Sequence, residues 1–419
     1  MIPSRAKSAT TRPGWARSGA GAATLVGAAA FALYYAGAGR PFGYDEAETV
    51  GNFVQQRSFL RPFTHQIVFN NHPLFSFALV LIARVAGTGE AWMRLLPAVL
   101  GAATVGVFAW WAQRRFGRTA AVAGVAVLAT TPLFVGEVRQ ARGYATIVFC
   151  ALVASILLVE DVRSRAGRVA YTGVIAVAVA THLYALLVVL GHFGFIMARP
   201  RERRERVADL AALATGVALG GLAYIGLWRA MSNHAATRRG SPHNEFPSLV
   251  AHGLLGRTFV SIALLVLLAG ICARVLGRRP EIIAAITLPA IGVLWIWKVQ
   301  RPVELYPRFM ITAALPLAAA VAWTVRRYPR LLPVAIVAAV ALFVPQIAGF
   351  QREPPVKATA HIVDSTRELG LRPCALSPWP LAAYTRMPFQ LTQVEQAPQC
   401  DVLVQVGGAG TDLIPRLRS

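Results

Sequence analysis

Residues 73–86 read PLFSFALVLIARVA. Apart from Ser76 and Arg84 the stretch is apolar, and Pro73 suits the first turn of a helix. Its 14 residues extend about 21 Å as a helix, whereas the hydrocarbon core of a bilayer is about 30 Å thick. A helix this short is expected to lie along the membrane interface. On that reading residues 40–94 stay on one side of the membrane. If the piece crosses instead, every later loop changes sides.

The chain as a whole is written for a bilayer. Of 419 residues 56% are hydrophobic and only 15% charged, with a mean hydropathy of +0.52, which is too apolar for a soluble domain of this size. Apolar stretches able to cross the core recur from residue 20 to residue 350, separated by short basic or Pro/Gly-containing loops. A net charge of +23 would suggest nucleic acid in a soluble protein, but membrane proteins gather Lys and Arg in cytoplasmic loops. The positions of the charges favour the second reading and exclude nucleic acid as the partner.

Residues 1–19, with Arg5, Lys7, Arg12 and Arg17, read as a cytoplasmic tail before a first span at 20–38, a cleaved signal peptide being the alternative. With residues 40–94 outside, the second span is Leu95–Trp111. Further spans are expected near 119–135, 144–159, 169–182, 184–197, 207–228, 254–273, 281–297, 309–325 and 331–349, eleven in all. The inner loops then carry Arg114, Arg115 and Arg118, the Arg163–Arg168 group, the Arg199–Arg206 group, Arg274, Arg278 and Arg279, and Arg326, Arg327 and Arg330. With the N-terminal four these make half of the chain's 42 basic residues, clustered at span ends. Residues 351–419 fall outside, as a small extracytoplasmic α/β appendage in which residues 400–406 suit one strand. There Cys374 and Cys400 either form a bridge or remain free thiols.

Four polar segments on the expected outer face are not explained by topology. Gly43-Tyr44-Asp45-Glu46-Ala47-Glu48 follows the first span, and Asn70-Asn71-His72-Pro73-Leu74 opens the interfacial helix. Glu137-Val138-Arg139-Gln140-Ala141-Arg142-Gly143-Tyr144 lies between two spans, and Val303-Glu304-Leu305-Tyr306-Pro307-Arg308-Phe309 precedes a later one. A carboxylate such as Asp45 or Glu46 can take the proton of an acceptor hydroxyl, although Asp45 with Glu48 also fits a helix cap. Arg139, Arg142 and Arg308 suit a phosphate at the membrane surface, because the guanidinium fork matches phosphate oxygens and stays charged. Snorkelling to headgroups or pairing with Glu137 or Glu304 is the plainer alternative. His72 and His65 lack ligand spacing, so no metal is indicated. His182 and His192 suit packing or pore-facing positions. No phosphate loop, dinucleotide fingerprint or nucleophile elbow occurs, and nucleotide cofactors are not expected.

At these segments the chain resembles the GT-C superfamily of integral membrane glycosyltransferases, nearest the protein O-mannosyltransferases and lipid A aminoarabinose transferases. The resemblance rests on Asp45-Glu46 after the first span, Asn71-His72-Pro73-Leu74 opening a juxtamembrane helix, and Arg139-Gln140-Ala141-Arg142 in the next outer loop. It covers roughly residues 20–200 and extends more loosely to Tyr306-Pro307-Arg308. It implies an all-α polytopic fold in the bacterial inner membrane with its active site facing the periplasm. It also implies a polyprenyl-phosphate-linked sugar as donor and a lipid, glycan or protein as acceptor. Asp45 would be the base, with Glu46 orienting it or the acceptor, and Arg139, Arg142 and Arg308 the phosphate ligands, with Tyr44, His72, Glu137, Tyr144 and Tyr306 around the substrate. Two positions depart from the family: Tyr144 stands where several relatives carry an acid, for which Glu137 could substitute, and His72-Pro73-Leu74 replaces a frequent Lys-Pro-Pro.

A transporter or lipid flippase is the competing class. Its ionisable groups would sit in mid-membrane and its halves would repeat. Here ionisable groups inside the expected spans are few, notably Asp209 near one end and Arg257 near another, and no repeat is evident. The polar loop 229–252 is either a lid or a solvated connector.

Overall fold

In the computed structural model the described residues are 14–65, 71–160, 164–229, 231–232, 246–255, 263, 270, 279–298, 307–349, 355–371, 373–375, 383–384, 389–390 and 402–404. The expected span at 254–273 lies largely outside them, as do Tyr306, Cys400 and most of the polar loop 229–252.

The described chain is almost entirely helical. Helix α1 (Gly14–Tyr35) runs against α5 (Glu90–Phe116), and between them lie the short α2 (Tyr44–Thr49), α3 (Arg61–Thr64) and α4 (Pro73–Ala86). Helix α4 has the bounds expected from Pro73 and stops at Gly87, whose φ of 83° favours glycine. It buries Phe75, Ser76, Leu79 and Val80 and leaves Val85 exposed, as befits an element lying on the bundle.

The expected span near 119–135 is instead two helices, α6 (Arg118–Thr130) and α7 (Pro132–Val138), meeting at 61°. The cause is Pro132. It has no N–H to give the preceding turn, and it holds Thr131 in an extended conformation, φ −57° and ψ 122°. The bend carries the 137–144 segment toward α2. Helices α8 (Tyr144–Val159), α9 (Arg165–Thr181), α10 (Ala185–Ala198) and α11 (Arg203–Gly221) follow, with α8 packed between α5 and α9. In α11 the Gly216 and Gly220 pair lets α9 approach closely. A Cβ at either position would meet the carbonyl of Thr172 at 2.8 Å or of Ala176 at 2.6 Å.

Among the described residues three helices are long and apolar enough to cross a membrane: Glu90–Phe116, Arg203–Leu227 and Pro307–Arg327. The bent α6–α7 pair makes a fourth if it is one broken span. The remaining apolar helices are shorter, among them Tyr144–Val159 and Ala185–Ala198. At the C-terminal end helix Pro355–Glu368 precedes three short parallel strands, Pro373–Ala375, Phe389–Gln390 and Val402–Val404, with the first in the centre. Cys374 pairs in register with Phe389 and Leu403, is fully buried and is disulfide-bonded. Ala360 and Val363 of the helix join a core with Phe42, Ala47, Val50 and Phe75, so this region packs beneath α2.

Candidate active site

Helix α2 starts at Gly43, and its first turn sets the fates of two adjacent acids. Glu46 reaches back to accept from the Gly43 N–H at 2.8 Å, so the cap is made by Glu46 and not by the Asp45 and Glu48 pair. The same carboxylate accepts from Arg94 Nε and Nη2, both at 2.7 Å, and from the Ala141 N–H at 2.8 Å. With four donors on its two oxygens and only 2% of its side chain exposed, Glu46 ties α2 to α5 and to the 137–144 segment. Asp45 keeps 29% of its side chain exposed and faces the other way.

The Asp45 carboxylate receives two cations on one oxygen. Arg142 Nη1 lies 2.9 Å from Oδ2, and Arg308 Nη1 donates to the same atom. Residues 45, 142 and 308 come from elements far apart in sequence, and the bundle brings them together. Burial opposes ionisation of Asp45, but the two guanidiniums outweigh it and hold the carboxyl below its ordinary value.

Behind Arg142 lies a wall of rings. Arg142 Nη2 contacts His72 Nε2 at 3.1 Å, and its guanidinium stands 5.5 Å from the centre of the Tyr144 ring. Because a guanidinium only donates, His72 Nε2 accepts and the ring is neutral with its proton on Nδ1. His72 packs edge-on to Tyr144 at 4.8 Å and against His182 at 4.7 Å. Phe309 stacks on Tyr184 at 3.6 Å and closes the far side. Burial, aided by the adjacent cations, pushes His72 well below its ordinary pKa. Gly143 permits this packing, since a Cβ there would fall 2.6 Å from Thr181 Cγ2 and 2.8 Å from His72 Nδ1.

Glu137 is buried in the same region, within electrostatic reach of Arg308 and Arg142, and its Oε2 has no hydrogen-bond partner among the described residues. Tyr44 is half-buried at the start of α2. Arg139 stands apart from Asp45. It donates to the Ala36 carbonyl at 2.5 Å and neighbours Arg40 and Arg94, where burial and these cations lower it to about 10. Arg142 and Arg308 thus share the carboxylate, and Arg139 closes the end of α1. Asp209, the acid inside an expected span, is ion-paired to Arg168 and Arg201 at the opposite end of α9 and α11.

Three contributors escaped the sequence reading. Arg94 is the partner of Glu46, and its only sequence signal is a lone cation in the apolar opening of α5. His182, read as packing, borders the site because helix α9 stops at Thr181. Tyr384, from the tail, accepts a hydrogen bond from the Phe42 N–H, and Gln55 Nε2 donates to the Ala383 carbonyl at 2.9 Å, so the tail holds the chain just before α2 and again after the helical turn Val50–Val54 that continues it.

Residues 70–228 match the family model of dolichyl-phosphate-mannose-protein mannosyltransferase. The fold is similar to two crystal structures of ArnT from Cupriavidus metallidurans. The one bound to undecaprenyl phosphate has a TM-score of 0.63 at 16% identity, over 92% of this chain and 90% of that one. The apo form has a TM-score of 0.63 at 15% identity, over 94% and 91%. No curated protein matches the chain in sequence. At such identities the likeness of structure establishes the fold: a mostly helical, multi-pass membrane protein.

Proposed function

We propose that the chain is a membrane glycosyltransferase of the kind whose family model residues 70–228 match, akin to the protein O-mannosyltransferases and aminoarabinose transferases, and that it moves a sugar from a polyprenyl-phosphate donor to an acceptor hydroxyl at the outer face of the inner membrane. The observation that carries this reading is the junction of Asp45 with Arg142 and Arg308. One carboxylate, partly open to solvent, meets two guanidiniums that can accept a phosphate in its stead. The undecaprenyl phosphate carried by the similar ArnT structure supports a lipid phosphate as the leaving group.

In this mechanism Asp45 takes the acceptor proton as the acceptor oxygen bonds to the anomeric carbon. The bond from that carbon to the phosphate oxygen breaks with inversion, and the electron pair leaves on the lipid phosphate. Arg142 and Arg308 stabilise the charge that develops there. Glu46 serves through Arg94 and the backbone to hold α2 in place. His72, Tyr144 and Glu137 line the donor side, and Arg139 keeps the end of α1 against the 137–144 segment. The reading includes eleven spans, with residues 1–19 inside and residues 40–94 and 351–419 outside.

Purified protein given a polyprenyl-phosphate sugar is expected to transfer it. Asp45→Asn is expected to lower kcat by about 10²–10⁴, a far larger effect than its lowering of thermal stability. Full transfer by that variant would sink the base assignment, and a topology reporter at Gln140 that reads cytoplasmic would remove the outer-face orientation.

A further inference from the structure

Asp45 is engaged in the one place where a base cannot be. Its Oδ2 takes both Arg142 and Arg308, the two cations to which the proposed reaction assigns the donor phosphate. Arg142 has 2% of its side chain exposed and Arg308 14%, so neither can turn into solvent to meet a second anion while keeping the first. Arg142 is further held by His72 Nε2 at 3.1 Å, which leaves its Nη1 edge committed to Asp45. Nη1 of both guanidiniums is taken by the one carboxylate oxygen.

We propose that Asp45 is the resident stand-in for the donor phosphate: donor binding displaces its carboxylate from Arg142 and Arg308, and that displacement is what frees Asp45 to act as a base. This inference rests on the glycosyl-transfer reading. The exchange swaps charge-assisted hydrogen bonds, with no covalent change: the guanidinium donors pass from a carboxylate oxygen to phosphate oxygens, which they match at least as well. Freed of its cations and set beside an anion, Asp45 gains proton affinity in the complex, which is the state a base requires. The order of addition follows. The donor precedes the acceptor, because no base is available before the phosphate is seated.

The test is equilibrium binding of undecaprenyl phosphate to the full-length protein at fixed pH and salt. If the carboxylate occupies the phosphate's place, Asp45→Asn binds more tightly than wild type by about tenfold, the size of one charge-assisted hydrogen bond. Asp45→Ala repeats the measurement should the Asn variant fail to fold. Glu137→Gln separates displacement from a mere change of field, since it removes a neighbouring carboxylate that is not bonded to either cation. Its gain is expected to be well below that of Asp45→Asn. Equal gains from the two, or no gain from Asp45→Asn, would overturn the proposal. Arg308→Ala is expected to lose most of the binding. If it binds as wild type does, the glycosyl-transfer reading of the site fails first and takes this inference with it.

Discussion

Asp45 and Glu46 are neighbours, but one residue of helix turns them about 100° apart. That rotation sends Glu46 into the body of the protein and Asp45 toward the two arginines. Removing one partner of a buried pair leaves the other charge stranded. Arg94→Met is therefore expected to cost about 3–5 kcal/mol, read as a lower temperature of thermal unfolding. Asp45→Asn removes the negative charge that Arg142 and Arg308 share but keeps an amide oxygen there to accept from them, so it is expected to lower that temperature as well while activity falls by far more. The titratable groups of the site also set a pH dependence. His72 has a folded pKa below its ordinary value, so its contribution is complete above about pH 6.5 and is lost as the pH falls below it, by up to about 1.4 kcal/mol per pH unit. Asp45, held below the usual carboxylate value, adds a further loss only below about pH 4. Unfolding scans between pH 7.5 and 5 should show the histidine loss, and His72→Asn should flatten it. A profile indifferent to pH in that range would contradict the buried, neutral ring.

At the scale of elements, the site depends on a bend and a gap. Pro132 turns the end of α6 into α7 and delivers the 137–144 segment to α2. Gly143 then lets His72 and Thr181 pass against that segment. Gly143→Ala places a methyl within 2.6 Å of Thr181 Cγ2, and overpacking of this kind costs about 1–3 kcal/mol. Because the displaced ring is the one that holds Arg142, transfer activity is expected to fall more than stability does. Steady-state rates measured beside thermal unfolding check this, and a variant with normal activity and lowered stability would detach Gly143 from the site. The short α4 illustrates what could be foreseen locally. Its start at Pro73 and its length were both legible from residues 73–86, since proline and apolar run length act within one helix. The break at Pro132 was missed within a continuous apolar run, where hydropathy outweighed the one residue that interrupts hydrogen bonding.

For the molecule as a whole, the tail is tied to the catalytic end. Tyr384 and Ala383 hold the two ends of the α2 region, and Cys374 anchors the central strand of the small sheet. Cys374→Ser, or reduction of the wild type, is expected to destabilise this region by about 2–4 kcal/mol and to lower transfer through loosened support of α2. Limited proteolysis of the tail, followed beside activity, measures both effects. Composition and the spacing of basic clusters by themselves determined a helical membrane protein and collected Asp45, His72, Glu137, Arg142 and Arg308 on one face, because transfer into lipid and the placing of charge at its edges are properties of each segment alone. Only the tertiary structure decided which acid meets Arg142 and Arg308 and which meets Arg94, that Arg139 donates to the end of α1, and that Arg94, His182 and Tyr384 border the site. Those outcomes depend on distances between residues up to several hundred positions apart, which are set by packing and by the need of each buried charge for a partner.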